Sequence, residues 1–291
     1  NQTMELKEIY DGKTFVETGL AIHVPKISFD VFHPKSGDIS KLFEELRVLK
    51  KYNPSLVSLT YGTSGSGARF SKEDMKTILG LELNLMPHFT CVCETKNAIE
   101  RNIINIENLG IENILALRGD IPQGVNPCSL DFEHANDLVE FVHEKTTLSI
   151  AVAGYPEGHV ESPSLDVDIE NLKRKVDAGA SAIFTQLFFE NDNFYRYVEK
   201  VEKAGINLPI IAGIMPIRSS SQIQKMVEMT HVDIPQNLIN ELERFPQQAK
   251  KIGAEFAIHQ CHNLIDNGIQ ALHFFTLNHS DQVSEVLDNI L

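Results

Sequence analysis

The sequence predicts a (β/α)8 TIM barrel, an α/β fold folded as a single domain over residues 1–291. Three observations predict it. Eight short β-branched or apolar runs alternate with longer amphipathic ones. Each run but the last precedes a helical pattern directly, and a final helix follows the eighth. No Pro/Gly/Ser-rich linker or change of composition divides the chain.

The predicted strands run 26–32, 56–62, 85–92, 113–120, 148–156, 182–189, 209–217 and 271–277. Helical patterns lie near 39–51, 72–82, 96–109, 132–145, 166–179, 192–204 and 219–229, with a longer one over 236–267 and a last over 281–290. "SKED" at 71–74 reads as an N-cap with first-turn acids, and Gly110, Gly179 and Gly205 fall where helices end. Residues 1–20 are expected to form an N-terminal extension. Residues 230–268 are expected to insert extra helices before strand eight.

Composition narrows the function classes. A formal net charge of −14 argues against nucleic acid and anionic membrane as general partners. No apolar run approaches the length of a bilayer span, and the first residues lack the layout of a signal peptide. The four cysteines, at 91, 93, 128 and 261, form no CxxC pair. Cys91 and Cys93 would share a strand face, and the expectation is a reduced, cytoplasmic chain without a metal site. "HQCH" at 259–262 places His259 and His262 one helical turn apart without supporting ligands, so it reads as packing or surface.

A barrel of this kind carries its chemistry at the C-terminal ends of its strands. The polar residues there are Asp30, Thr60, Tyr61, Arg118, Gly119, Asp120, Tyr155, Glu157, His159, Gln186, Thr276, Asn278 and His279. Asp30 stands out in "ISFDVFHPK", a carboxylate among Phe29, Val31 and Phe32. It is either a satisfied polar group near a strand end or an acid whose pKa desolvation raises toward neutrality. No GxGxxG follows a strand, and "YGTSGSG" at 61–67 lacks the Lys-Ser/Thr of a P-loop. In "DIENLKRKVDAG", Asp168, Asn171 and Lys175 share one helix face beside Arg174, which suits an anion as well as a solvated charged surface.

"SFDVFHPK", "VSLTYGTSGSG", "PHFTCV", "NILALRGDIP", "AGYPEGH", "DIENLKRKVDAGA", "TQLFF" and "LHFFTLN" fall in one order and spacing. In that combination the chain resembles the 5,10-methylenetetrahydrofolate reductase family, from about Lys26 to Asn278. The resemblance implies an FAD-binding barrel that reduces methylenetetrahydrofolate to 5-methyltetrahydrofolate. It implies FAD contacts at Thr60, Tyr61, His88, Arg118, Gly119, Asp120, Tyr155, His159, Asp168, Asn171, Arg174 and Lys175. It implies substrate contacts at Gln186 and His279, and catalytic roles for Asp30 and Asp120. Asp120 would lower the flavin potential by opposing negative charge on the reduced ring. Asp30 would protonate folate N10, opening the five-membered ring to an iminium that accepts hydride.

The chain departs from the family pattern at several places. Asp30 stands where the family has a glutamate, shorter by roughly 1.5 Å of reach. Val31 and His33 replace an aromatic and a proline, Ser220 stands near an expected aromatic, and His279 replaces an arginine. The expected electron donor is NADH or NADPH; the alternative is an electron-donating protein subunit, an iron–sulfur protein or ferredoxin. A non-redox barrel lyase is a further alternative, though Lys26, at a strand start, lies at the wrong end for a Schiff base. A folate-binding module without turnover completes the set. The family analogy also predicts a homo-oligomer.

Overall fold

The computed structural model describes residues 4–19, 22–60, 69–121 and 131–291. Eight parallel strands close in sequence order into one barrel. They are β1 Lys26–Phe32, β2 Leu56–Thr60, β3 Leu85–Thr90, β4 Asn113–Leu117, β5 Ser149–Gly154, β6 Ala182–Thr185, β7 Ile210–Ile214 and β8 Ala271–Phe275. Closure is made by β1 against β8, with Asp30 opposite Phe275 and, on its other side, Ser58 of β2.

The helices are α1 Leu6–Ile9, α2 Ser40–Leu49, α3 Lys72–Leu79, α4 Lys96–Asn108, α5 Ala135–Lys145, α6 Leu165–Asp177, α7 Asn191–Lys203, α8 Ser220–Thr230, α9 Gln236–Arg244, α10 Ala249–Asp266 and α11 Asp281–Ile290. Their apolar stripes cover the outside of the barrel. On α7, Phe194, Tyr197, Val198 and Val201 recur at helical spacing and are buried. Gly154 is required beneath that helix, because a Cβ there would stand 2.5 Å from the Tyr197 hydroxyl and 2.7 Å from an Ile183 methyl.

Period-two alternation answers the question Asp30 raises. Ile27, Phe29 and Val31 face outward into the strand–helix core, while Ser28 and Asp30 turn inward, where they meet His273 and Ser58. The strand is buried on both faces, and the inner face is polar.

Within the expected N-terminal extension, residues 4–10 pack onto the barrel. Leu6, Ile9 and Tyr10 plug the N-terminal end of the barrel against Leu56, Met86, Leu115, Ala151, Ala182, Ile211 and Ala271. Asn113 holds the plug by accepting the Leu6 N–H at 3.0 Å and donating to the Met4 carbonyl at 2.8 Å. The long helix expected over 236–267 is two helices, because Pro246 begins a 3-10 turn at Pro246–Gln248 between α9 and α10. Strands β3 to β8 also end earlier than expected, which places Arg118, Gly119 and Asp120 in a loop.

Cys91 and Cys261 are free, buried thiols. Cys93 is disulfide-bonded, so a fully reduced chain does not hold at that position. Nor do Cys91 and Cys93 share a strand face, because β3 stops at Thr90 and Cys93 takes a positive φ of 60°. Among the described residues no helix is long and apolar enough to cross a membrane, and no three His, Cys, Asp or Glu are placed to hold a metal ion.

Candidate active site

The C-terminal mouth of the barrel gathers the shortlisted residues in two neighbouring groups. The first centres on Asp30. Its Oδ1 accepts the Ser58 hydroxyl at 2.5 Å and the Thr60 hydroxyl at 2.7 Å, and His88 Nε2 lies 3.5 Å away. No hydrogen bond from a described residue reaches Oδ2. The side chain is 13% exposed. Desolvation pushes its pKa up to about 6, against the opposing pull of the two hydroxyl donors. Burial draws His88 down to about 4, and burial together with His88 draws His273 down to about 3. Both imidazoles are therefore neutral at pH 7.

The backbone around Asp30 is tied to the end of β8. The Thr276 hydroxyl donates to the Asp30 carbonyl at 2.8 Å, and the Asn278 side chain bridges Phe32, accepting its N–H at 3.0 Å and donating to its carbonyl at 2.8 Å. Asn278 and Leu277 sit in the left-handed region, at φ 60° and 50°. That conformation is unfavourable for a leucine, and it is what swings the Asn278 amide back onto β1.

The second group forms a cleft of about 300 Å³ over β4, β5 and α6. Its lining includes Arg118, Gly119, Asp120, Tyr155, His159, Asp168, Asn171, Arg174 and Lys175, nine residues singled out by their motifs. Gly119 has a φ of +83°, and a Cβ on it would stand 3.0 Å from a Val92 methyl and 3.1 Å from Thr90 Cβ. Its backbone alone demands glycine.

Lys175 donates to the Ala153 carbonyl at 3.2 Å and lies 6.0 Å from the centre of the Tyr155 ring. Burial lowers its pKa, with Asp168 opposing. Tyr155 meets His159 edge to face at 4.7 Å, and burial, with the Asp168 and Asp120 charges, pushes its hydroxyl up to about 12. Arg118 pairs with Glu161 at 2.9 Å, and the Ser162 hydroxyl donates to Asp168 at 2.9 Å. The N-terminus of α5, at His134–Asn136, opens onto the same cleft. Three cationic side chains and a helix N-terminus suit a ligand carrying phosphates.

Thr60 and His88 belong with Asp30 rather than with the cleft lining, although β3 and β4 are adjacent. Tyr61 lies outside the described residues. Gln186 sits just past β6, its side-chain oxygen accepting the Leu187 N–H at 3.0 Å. His279 follows β8, and burial and the nearby Arg218 lower its pKa. Glu157, also past β5, accepts the Asp233 N–H at 2.9 Å, while its other oxygen is buried without a hydrogen-bond partner. Burial pushes that carboxyl up to about 7.

Two of the departures pack into the protein's interior. Val31 is buried in the outer core. His33 pairs with Asp74 at 3.2 Å and meets Phe70 edge to face. Sequence reasoning missed Ser58 and His273 around Asp30, and Glu161, Ser162, His134 and Asn136 in the cleft. Ser58 and His273 had a signal: each lies two residues before the inward end of its strand, so alternation turns it inward.

A family model described as methylenetetrahydrofolate reductase matches residues 17–291. The chain is 35% identical over 263 residues to the 5,10-methylenetetrahydrofolate reductase of Escherichia coli, covering 88% of this chain and 87% of that protein. It is 36% identical to the enzyme of the same name from Salmonella typhimurium, with the same coverage. Against methylenetetrahydrofolate reductase (NADH) 1 of Arabidopsis thaliana it is 35% identical, over 90% of this chain and 48% of that longer protein. A solved structure from Clostridium thermocellum, described as binding two copies of 5-methyl-5,6,7,8-tetrahydrofolic acid, shares the fold at a TM-score of 0.59. It covers 92% of this chain and 95% of that one at 10% identity, so the likeness is of fold alone.

Proposed function

Because the chain belongs to the methylenetetrahydrofolate reductase family, we propose that it reduces 5,10-methylenetetrahydrofolate to 5-methyltetrahydrofolate using bound FAD. The observation that carries the reading is Asp30. It is a carboxyl group in a desolvated wall, held at about pKa 6, anchored through one oxygen and with no described hydrogen bond on the other. Such a group can hold a proton near neutral pH and deliver it to a substrate nitrogen.

The cleft residues fit FAD. Arg174, Lys175 and the α5 N-terminus would hold its diphosphate and ribose, and the Arg118–Asp120 loop its ring system, which Gly119 lets approach the backbone. When bound, FAD supplies the hydride. Asp30 gives its proton to N10 as the bond from N10 to the bridging carbon breaks. The positive charge then rests on the N5 iminium, and the hydride is added at the exocyclic carbon. Asp120, exposed beside the cleft, would disfavour negative charge on the reduced ring and so favour hydride departure. Gln186 would bind the pterin and His279 the remainder of the folate.

NADH or NADPH is the electron donor in this reading. Of the departures that would favour a protein donor by removing a stacking surface, Val31 packs into the outer core and His33 against Phe70 and Asp74. The test is anaerobic rapid mixing of the purified protein with NADH and NADPH, then with methylenetetrahydrofolate. Bleaching of the flavin absorbance followed by its return on folate addition is expected. A protein that takes up no FAD, or whose reduced flavin ignores the folate, overturns the proposal.

A further inference from the structure

Directly beneath Asp30 the barrel interior holds three polar side chains, above the aliphatic layer that meets the N-terminal plug. His273, from β8, lies between Ser28 and Ser58: Nδ1 is 2.7 Å from the Ser28 hydroxyl and Nε2 is 3.3 Å from the Ser58 hydroxyl. Its ring is pinned by edge-to-face contacts with Phe184 at 5.1 Å and Phe275 at 5.5 Å. All three polar residues are at most 3% exposed. Water therefore cannot choose the direction of these hydrogen bonds.

The direction follows from counting protons. The Asp30 carboxylate can only accept, so the single hydroxyl proton of Ser58 is committed to Oδ1. The Ser58 oxygen must then accept from His273, which requires the proton of the neutral imidazole on Nε2. Nδ1 is left as an acceptor and takes the Ser28 hydroxyl proton. The chain Ser28 to His273 to Ser58 to Asp30 thus has one consistent polarity, every donor pointing toward the carboxylate. Thr60 donates to the same oxygen from the other side.

We propose that His273 is a positioning residue of the proton-transfer step, acting through Ser58. With Ser28 it locks Ser58 as a donor to Asp30 Oδ1, so that the acid carries its proton on Oδ2, the oxygen free of described partners. This deepens the proposed function and rests on Asp30 being the acid. A Ser58 hydroxyl free to rotate could accept a proton from Oδ1 instead, and the acid would then spend its proton on the barrel wall. The chain also limits how far burial raises the Asp30 pKa, because it supplies a fixed donor to the ionised form.

Among the described residues the other titratable groups facing this cluster are His88 from β3 and Tyr10, just past α1. His88 is neutral, and the Tyr10 hydroxyl is kept protonated by burial beside Ser28. Among the described residues no lysine or arginine forms an ion pair with Asp30.

The test is a carbon-13 NMR titration of aspartate-labelled protein, with the Asp30 signal assigned by its loss in Asp30→Asn. Ser58→Ala and His273→Met are each expected to raise the Asp30 midpoint by about one pH unit, and the double variant by no more than either. His273→Gln, whose amide can donate toward Ser58, is expected to restore most of the shift. Nitrogen-15 shifts of the wild-type protein at pH 8 should place the His273 proton on Nε2. An unmoved midpoint in Ser58→Ala or His273→Met, no restoration by glutamine, or a proton on Nδ1 overturns the proposal. Should His273→Met fail to fold, Ser58→Ala and the wild-type tautomer decide it. Because the titration needs no turnover, it is separate from the functional reading, which fails instead if Asp30→Asn still reduces the folate.

Discussion

Arg118 and Glu161 meet across the entrance of the cleft, the guanidinium donating to both carboxylate oxygens at 2.9 and 3.1 Å. The pair joins the loop after β4 to the segment before α6. In the ligand-free protein it neutralises a cation that the proposed function assigns to FAD. A ligand must therefore compete with Glu161 for Arg118. Glu161→Gln is expected to tighten FAD binding to the apoprotein about two- to fivefold, the modest size reflecting the exposure of both side chains. Flavin fluorescence titration at low and high salt measures it. Weaker binding in the variant would mean that Glu161 orients Arg118 for the ligand instead of competing with it.

Asp30→Asn keeps the shape and the acceptor oxygen for Ser58 and Thr60 but has no proton to give. Methylenetetrahydrofolate reduction should fall by roughly 10²- to 10⁴-fold, the usual contribution of a general acid. Flavin reduction by the nicotinamide donor should stay within about twofold. Stopped-flow measurement of the two half-reactions separates these effects. Loss of both would point to damage of the whole mouth.

The raised Asp30 pKa has a signed consequence for stability. With the folded value near 6 and the ordinary aspartate value 3.8, the native state binds more protons than the unfolded state between those values. Stability from this group is fully present below about pH 4 and is lost as pH rises through 6. The cost of ionising it in the folded protein is on the order of 3 kcal/mol. Asp30→Asn should therefore melt a few degrees higher than the wild type at pH 8, with the gap closing toward pH 4. Thermal unfolding across that range tests it, and a gap that widens on acidification would contradict the sign. Activity that needs the protonated acid should likewise decline above about pH 6.

Gly119→Ala separates two reasons for a glycine. If the residue served cofactor approach alone, the flavin-free variant would be as stable as the wild type. The positive φ and the crowding by Thr90 and Val92 instead predict a loss of about 1–3 kcal/mol without any ligand. Denaturant unfolding of the apoprotein is the measurement.

Asn278 and Gly119 mark how far the sequence could be read. Both were shortlisted as strand-end polar or cofactor residues, and both lie at the mouth. Their physical work, bridging the Phe32 backbone and turning a crowded loop, depends on neighbours more than 20 residues away. The insertion before β8 was legible as helical, and its break at Pro246 was written in the chain but outweighed by the long amphipathic pattern. The N-terminal plug was not legible, since four helical residues carry no periodic signal and Leu6, Ile9 and Tyr10 have meaning only against the open end of a barrel.

The number of strands, their order and nine of the residues lining the cleft were legible in the sequence itself, because alternation and motif spacing are local properties of the chain. What only the tertiary structure decided is which inward polar groups touch. Ser58 and His273 are 215 residues apart and become neighbours of Asp30 through the closure of β1 onto β8 and the register of β1 on β2. Hydrogen bonds and desolvation act over a few ångströms, so the proton affinity of Asp30 is a property of that closure and of no segment taken alone.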